Sequence, residues 1–338
     1  MGQMHKYADV HIHRHSNGGA TYQARHACNR SWFAGSLVLA ALSVVTVVLQ
    51  ATPASAGTES SAAAAMPAVG TQPTAGGMLG DVTGDGLADI LAIDPAGNLW
   101  LYPNTGGAGA GMFSGGRSQV GSGWAGYTLA AVTPLYGSAR AGILAIDRSG
   151  NMWYYPNTGG SGSSTFGARS LIGTGWTGYT PVGVGDLYGT GAPGLMAITH
   201  VFPNTPGTML YYSSKGGTGL NTFGFGIQIG QGWTGYTADF ADINGDSRPD
   251  LLAVDTSGRL WLYPNRGVTN SPFVARSEIG PGWSGYQAID VGQLTSTGPA
   301  SILAIDSAGN LWVYPNTGSG AFGARTQVGS GWSGFSIN

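Results

Sequence analysis

Two short segments of the chain place oxygen-bearing side chains at alternate positions, as a loop that binds a hard cation would. They read DVTGDGLAD at 81–89 and DINGDSRPD at 242–250. Calcium takes six to eight oxygen ligands, and alternate side chains plus one backbone carbonyl can supply them. The predicted ligands are Asp81, Thr83, Asp85, Leu87 and Asp89 in the first loop and Asp242, Asn244, Asp246, Arg248 and Asp250 in the second. We expect structural calcium here, and the alternative is a pair of aspartate-rich turns without metal.

A second recurring segment sets an aromatic side chain among glycines. Its five forms are GSGWAGY, GTGWTGY, GQGWTGY, GPGWSGY and GSGWSGF. A tryptophan between glycines near a loop can leave a flat apolar face open, and such a face suits the C–H side of a sugar ring. The candidate ligand-binding aromatics are Trp124, Tyr127, Trp176, Tyr179, Trp233, Tyr236, Trp283, Tyr286 and Trp332. The competing interpretation is that they pack in the core.

Four asparagines in YPN segments complete the candidate ligand site. Asn104, Asn157, Asn265 and Asn316 could bond sugar hydroxyls or acetamides, or could shape the turn. A second set of tryptophans stands shortly before them, mid-strand, and is predicted to form core between repeats: Trp100, Trp153, Trp261 and Trp312. In the third copy Leu210 replaces this tryptophan and Ser214 replaces the asparagine. We therefore expect the third site to be weaker or absent.

These residues belong to a unit that recurs along the chain. The segment ILAIDPAGNLWLYPN at 90–104 returns in four further copies, at spacings of 53, 52, 56 and 51 residues. Within the first unit, strands are predicted at 89–94, 98–102, 117–120 and 127–132. Gly97 and its equivalents suit a positive φ, and Asp94 and its equivalents suit a turn-forming role. Each unit therefore supplies four strands.

The arrangement predicted for these units is all-β, a five-bladed β-propeller of four-stranded antiparallel blades. Runs such as ILAI are apolar on both faces, which suits sheets sandwiched between neighbouring sheets. Aligned on the repeat, the chain stops at Asn338 one position before the point at which it begins at Met78. We therefore predict a ring over 78–338, with five repeats of about 52 residues, closed between the N-terminal and C-terminal segments.

The motifs DVTGDGLADILAID and DINGDSRPDLLAVD resemble the FG-GAP/VCBS repeat of secreted actinobacterial proteins. The resemblance implies calcium at the two loops. A five-fold ring is also similar to tachylectin-like lectins, which implies amino-sugar sites between blades. It further implies a role as the lectin subunit of an umbrella toxin particle, with other subunits of a secreted complex as partners.

The N-terminal part of the chain has the order of a secretion signal. Arginines precede an apolar run at 32–49, and the small residues Ala54 and Ala56 satisfy the cleavage preference. We predict a signal peptide at 1–56 and a flexible Ala/Ser/Pro/Gly linker at 57–77, which makes the mature protein extracellular and free of a membrane span. The alternative is a signal retained as an anchor.

Composition limits the function classes that remain. The net charge is −2 with no basic patch, which argues against nucleic-acid binding. Cys28 is the sole cysteine and falls within the predicted signal, so neither a disulfide nor a thiol nucleophile is expected after cleavage. Glycoside hydrolysis needs two carboxyl groups, yet Glu59 and Glu278 are the only glutamates, and His200 is the one histidine after the signal.

The sequence thus predicts a secreted, non-catalytic lectin that binds cell-surface glycans at several similar sites near blade junctions. A protein-interaction scaffold, or a targeting subunit of a secreted toxin assembly, is the alternative from another class. A glycosidase is the remote alternative.

Overall fold

The computed structural model describes residues 79–200, 207–269 and 271–335. The predicted signal at 1–56 and linker at 57–77 lie outside these residues. Within them the secondary structure is strands and short turns, with four 3₁₀ turns as its helical elements. No helix in this part of the chain is long and apolar enough to cross a membrane.

The strands form five four-stranded antiparallel blades, as predicted. Blade 1 contains β1 (Leu79–Gly80), β2 (Asp89–Ile93), β3 (Leu99–Tyr102) and β4 (Ser118–Gly121). Blade 2 contains β5 (Thr128–Thr133), β6 (Gly142–Ile146), β7 (Met152–Tyr155) and β8 (Ser170–Gly173). Blade 3 contains β9 (Tyr179–Gly185), β10 (Gly194–Thr199), β11 (Thr208–Ser214) and β12 (Phe223–Gly230). Blade 4 contains β13 (Thr237–Ala241), β14 (Asp250–Val254), β15 (Leu260–Tyr263) and β16 (Ser277–Gly280).

Blade 5 has the same order with a small insertion. It contains β17 (Tyr286–Gly292), β18 (Ser301–Asp306), β19 (Leu311–Tyr314) and β22 (Thr326–Gly329). A two-stranded hairpin, β20 (Asn316–Gly318) with β21 (Ala321–Phe322), precedes its last strand. In every blade the strands run in chain order from the ring axis to the rim.

The ring closes between the first and last blades. The inner strand β1 neighbours both β5 and β17. Across this joint the Leu79 N–H donates to Asp290 Oδ2 at 3.0 Å, and the Ala88 N–H donates to the Gln293 carbonyl at 2.8 Å. β1 has only two residues, and positions 336–338, at the C-terminal end of the predicted ring, lie outside the described residues. The structure therefore confirms the five-bladed β-propeller.

The core of the protein lies in the joints between blades. The second strand of a blade, such as β2 or β6, is buried at every position, as expected for a sheet covered on both faces. The third strand alternates buried and half-buried residues. In blade 1 the turn between the second and third strands forms as predicted. Asp94 Oδ1 accepts hydrogen bonds from the Ala96 and Asn98 N–H groups, and Gly97 has a φ of +78°.

Candidate functional site

The tryptophans of the GWxGY segments are buried, contrary to the prediction of an open face. Trp124, Trp176, Trp233, Trp283 and Trp332 are only 6%, 8%, 9%, 7% and 6% exposed. Trp124 packs against Tyr127 and against Tyr155 of the next blade, with ring centroids 5.2 and 4.8 Å apart. A Cβ at Gly121 would lie 2.4 Å from Trp124 Nε1, so the neighbouring glycines make room for the indole. These tryptophans are joint residues.

The YPN asparagines are also joint residues, which corrects their assignment to ligand binding. Asn104 and Asn265 are 1% and 2% exposed, and Asn157 and Asn316 are half-buried. The Asn157 Nδ2 group donates to the Ala141 carbonyl of its own blade and to the Val82 carbonyl of the preceding blade, both at 2.9 Å. Asn104, Asn265 and Asn316 make equivalent pairs of bonds. Both amide hydrogens are therefore used within the ring.

The mid-strand tryptophans, predicted as core, are instead half-buried at the blade surface. Trp153 donates through Nε1 to Asp147 Oδ2 at 2.8 Å, and the Arg169 guanidinium lies 4.0 Å from the indole centroid. The hydrogen bond from Trp153, followed by those from Asn151, lowers the pKa of Asp147 to about 2. The same Asp–Trp–Arg cluster recurs as Asp94–Trp100–Arg117, Asp255–Trp261–Arg276 and Asp306–Trp312–Arg325.

The arginine of each cluster also caps tyrosine hydroxyls at the blade joint. Arg169 Nη1 donates to Tyr127 and Tyr155, and Arg276 Nη1 donates to the corresponding tyrosines, Tyr236 and Tyr263. Arg325 donates to Tyr286 at 2.7 Å. Burial is the main cause that raises the pKa of Tyr155 to about 12. The tyrosine hydroxyls at these joints are thus already paired with an arginine.

Blade 3 lacks all three residues of the cluster. The strand register shows the replacements: the aspartate position is Thr199, the tryptophan position is Leu210 and the arginine position is Gly226. These three positions are far apart in sequence, but in the other blades the three side chains are in contact. Without the arginine, the hydroxyls of Tyr179 and Tyr212 pair with each other, and burial raises the pKa of Tyr212. In blade 3 the aspartate, the tryptophan and the arginine of the cluster are therefore all replaced together.

A pocket opens beside these two uncapped tyrosines. Its volume is about 200 Å³, and its lining includes Trp176, Tyr179, Tyr212, Phe223, Leu220 and Thr174. Trp176 packs on both tyrosines, with ring centroids 5.2 and 5.0 Å away. The pocket thus combines aromatic walls, hydroxyl groups and backbone of the glycine-rich 173–175 segment. The structure places an aromatic pocket at the blade whose site the sequence pattern ranks weakest.

The two predicted calcium loops have one backbone design. In the first loop the Asp81 carboxylate accepts N–H bonds from residues 84, 85 and 86, and Asp85 Oδ1 accepts one from Leu87. Asp242 and Asp246 do the same in the second loop. Asp89 and Asp250 are fully buried, and burial raises the pKa of both. Each accepts backbone N–H bonds that close its loop.

The loops differ in how well they would suit a cation. Thr83 Oγ1 in the first loop is buried and makes no hydrogen bond of ordinary geometry within the described residues, although it lies near enough to the Asp89 carboxyl to lower the pKa of that group. A buried oxygen beside a carboxylate fits a metal ligand. In the second loop the Arg248 guanidinium already pairs with Asp246 at 2.9 Å, and Ser247 holds a strained φ of +67°. No cluster of three or more acidic, histidine or cysteine side chains gathers as a metal site in the described chain. The donor set therefore favours the first loop for calcium.

We predict that Asp85→Asn lowers the melting temperature only when calcium is present, because a neutral amide is a weaker calcium ligand than a carboxylate. Thermal unfolding with calcium and with chelator measures the effect. Asp186→Asn, at the first position of the blade 3 loop, is the control, since Gly194 in that loop replaces the ninth-position aspartate. An unchanged calcium response in Asp85→Asn would remove this loop as a calcium site.

A buried carboxyl pair escaped the sequence prediction. Asp239 of β13 and Asp290 of β17 are 5% and 2% exposed and hydrogen-bond to each other. Asp239 Oδ2 accepts the Val291 N–H at 2.7 Å, so each carboxyl also bonds the inner strand of the following blade. Burial raises the pKa of Asp239. Direct contact brings the two groups closer than the roughly 5–9.5 Å separation of glycosidase carboxyls, so this pair lacks that geometry.

Comparison with known proteins assigns no family to the chain. No protein-family model matches it, and no curated protein matches its sequence. Among solved structures, an Agrocybe aegerita lectin that recognises non-reducing terminal N-acetylglucosamine is similar at 16% identity and a TM-score of 0.39, over 75% of this chain and 80% of that one. A Photorhabdus luminescens Tc holotoxin pore is similar at 17% identity and a TM-score of 0.35, over 71% of this chain but 11% of that one. At these scores the similarities assign neither ligand nor partner.

Proposed function

We propose that the protein is a non-catalytic lectin whose main sugar site is the pocket at the joint of blades 2 and 3. The observation that carries the proposal is the pocket of about 200 Å³ lined by Trp176, Tyr179 and Tyr212. Drug-sized ligands occupy pockets of roughly 300–1,000 Å³, so this one suits a single sugar ring. The proposal retains Trp176 and Tyr179 from the predicted set and adds Tyr212.

The chemistry of the lining supports a sugar in preference to a charged ligand. Aromatic side chains offer apolar surface to sugar C–H groups, and tyrosine hydroxyls and backbone groups offer hydrogen bonds. Burial raises the pKa of Tyr212, which keeps its hydroxyl protonated and able to donate. At the joints before blades 2, 4 and 5, an arginine already occupies the corresponding hydroxyls. At the joint before blade 3 no arginine contacts the described tyrosine hydroxyls, and Tyr179 and Tyr212 pair with each other beside the pocket.

The sequence supports three further parts of the proposal: calcium binding, secretion and the class of partner. The calcium loops and their resemblance to FG-GAP/VCBS repeats support a calcium-stabilised propeller of the secreted actinobacterial type. The order of basic, apolar and small residues at 14–56 supports secretion. Cell-surface glycans are then the natural partners, and association with other subunits of a secreted complex extends the same role.

A glycan array with calcium and with chelator tests the proposal, followed by titration of the best ligand. We expect Leu220→Arg to weaken binding at least tenfold, about 1.4 kcal/mol, because the new side chain would obstruct the pocket lining. Leu220 is 62% exposed, so the fold should tolerate the change. Ser163→Arg, at the equivalent exposed position of blade 2, is the matched control and should bind normally.

Two results would count against this function. A folded protein that binds no glycan would exclude a lectin and favour the interaction scaffold. If the protein binds a glycan and both Leu220→Arg and Ser163→Arg bind it as well as the unchanged protein does, the sugar binds at another surface of the ring.

A further inference from the structure

The outer strand of blade 3 differs from the other four outer strands. β12 has eight residues, FGFGIQIG, whereas β4, β8, β16 and β22 have four each. Each of the short strands adjoins an arginine: Arg117, Arg169, Arg276 and Arg325. β12 has no charged residue, and Gly226 occupies the arginine position. Short length and charge are the usual means by which sheet edges avoid pairing with other chains, and β12 lacks both.

Large apolar side chains on β12 face solvent. Phe225 is 94% exposed and Ile227 is 53% exposed. They are two residues apart and so project from the same face of the strand. Their counterparts on blade 2 are Ala168 and Ser170, which are small. β12 is the last strand of its sheet, and β11 is its one partner in the described chain. Its outer edge therefore has backbone groups and apolar side chains available to another strand.

We propose that β12 pairs with β12 of a second copy of this chain, in an antiparallel dimer centred on Gly226. This register places Phe225 of one copy opposite Ile227 of the other, twice, and so forms an apolar cluster of four side chains on one face. On the opposite face the Tyr212 ring packs over Gly226, where an added Cβ would lie 2.8 Å from the ring. A two-fold axis makes the same edge serve both partners, and the uncharged strand opposes no like charges.

The dimer joins two four-stranded blades into one eight-stranded sheet. A single strand pair is a small contact, so we expect a reversible dimer with a Kd on the order of 10 µM. The two side chains that form the apolar cluster, Phe225 and Ile227, lie outside the sugar pocket, whereas Phe223 and Gly224 at the start of β12 line it. If the pocket binds glycans, the dimer doubles the number of sites and strengthens binding to surfaces that display many copies of the sugar.

Sedimentation velocity of the purified protein over a wide concentration range tests the dimer. We expect monomer and dimer in exchange, and a loss of dimer by at least tenfold in Kd in Phe225→Lys and Ile227→Lys, because both introduce like charges at the pairing edge. Ala168→Lys and Ser170→Lys, at the matched positions of blade 2, should dimerise as the unchanged protein does. The high exposure of Phe225 makes its replacement compatible with folding, which circular dichroism verifies.

Hydrogen exchange of the 223–230 amides provides a second readout. In the proposed dimer these amides exchange more slowly at high concentration, and dilution restores fast exchange. A protein that stays monomeric throughout the range would overturn the proposal. So would a dimer that the β12 variants leave intact, a dimer without concentration-dependent protection of 223–230, or irregular aggregates in place of a dimer.

Discussion

Replacing Trp124 by alanine should lower the free energy of unfolding by about 3–5 kcal/mol, the range for truncating a large buried aromatic side chain. Trp124 is 6% exposed and fills the joint between blades 1 and 2, where Leu99, Val120 and Leu129 are also buried. The substitution leaves a cavity that the surrounding sheets can close only in part. Chemical denaturation followed by tryptophan fluorescence and circular dichroism measures the change.

Phe225→Ala is the control for this result. Its side chain is 94% exposed, so we expect a change within about 0.5 kcal/mol, as for ordinary surface substitutions. If Trp124→Ala were as stable as the unchanged protein and lost sugar binding instead, the original prediction of an open tryptophan face would be restored and the joint role rejected.

Replacing Asp290 by alanine should weaken the closure of the ring. The change leaves the buried Leu79 N–H without its acceptor and removes the hydrogen-bond partner of Asp239. An unsatisfied buried N–H costs about 1–3 kcal/mol. Asp290→Asn retains an acceptor oxygen and should lose less. Thermal and chemical unfolding of the two variants compare the losses, and equal stability of all three proteins would show that this bond does not support the closing joint.

The same carboxyl pair predicts a pH dependence. Burial raises the pKa of Asp239 above its ordinary value of 3.8, so the folded protein holds this proton more tightly than the unfolded chain does. The associated stability is complete below pH 3.8 and is lost as the pH rises through the higher native pKa. In Asp290→Asn the amide can donate a hydrogen bond to an ionised Asp239. The stability that this variant loses as the pH rises should therefore be smaller than the loss in the unchanged protein. Unfolding curves of the unchanged protein and of Asp290→Asn, measured from below pH 3.8 upward, give the pH dependence of stability for each. Parallel pH profiles of the two proteins would contradict the prediction.

The five-bladed fold could be predicted from the sequence because its signals are local and repeated. Apolar runs such as ILAI indicate strands covered on both faces, and Asp94 with Gly97 indicates the hairpin turn. These interactions lie within one unit, so every copy repeats the same evidence. The turn role of Asp94 is confirmed for this reason, and the alternating oxygen side chains of 81–89 are likewise evident from the sequence.

The candidate site could not be predicted in the same way, because its residues meet across blades. The glycines around Trp124 indicate a loop, yet Gly121 provides the space into which the indole packs. Asn157 looks available after its strand, but the carbonyl of Val82 in another blade holds it. Asp239 and Asp290 are neighbours only because the ring brings β13 and β17 together.

What the sequence determined by itself is the repeat, the strands, the turns and the number of blades, since each follows from side-chain pattern within a unit. Tertiary structure alone decided which aromatic surfaces are buried and where a pocket opens. The replacement of one arginine by Gly226 is a small change in sequence. In the folded ring it leaves the hydroxyls of Tyr179 and Tyr212 uncapped, because exposure and hydrogen bonding depend on neighbours from other strands and blades.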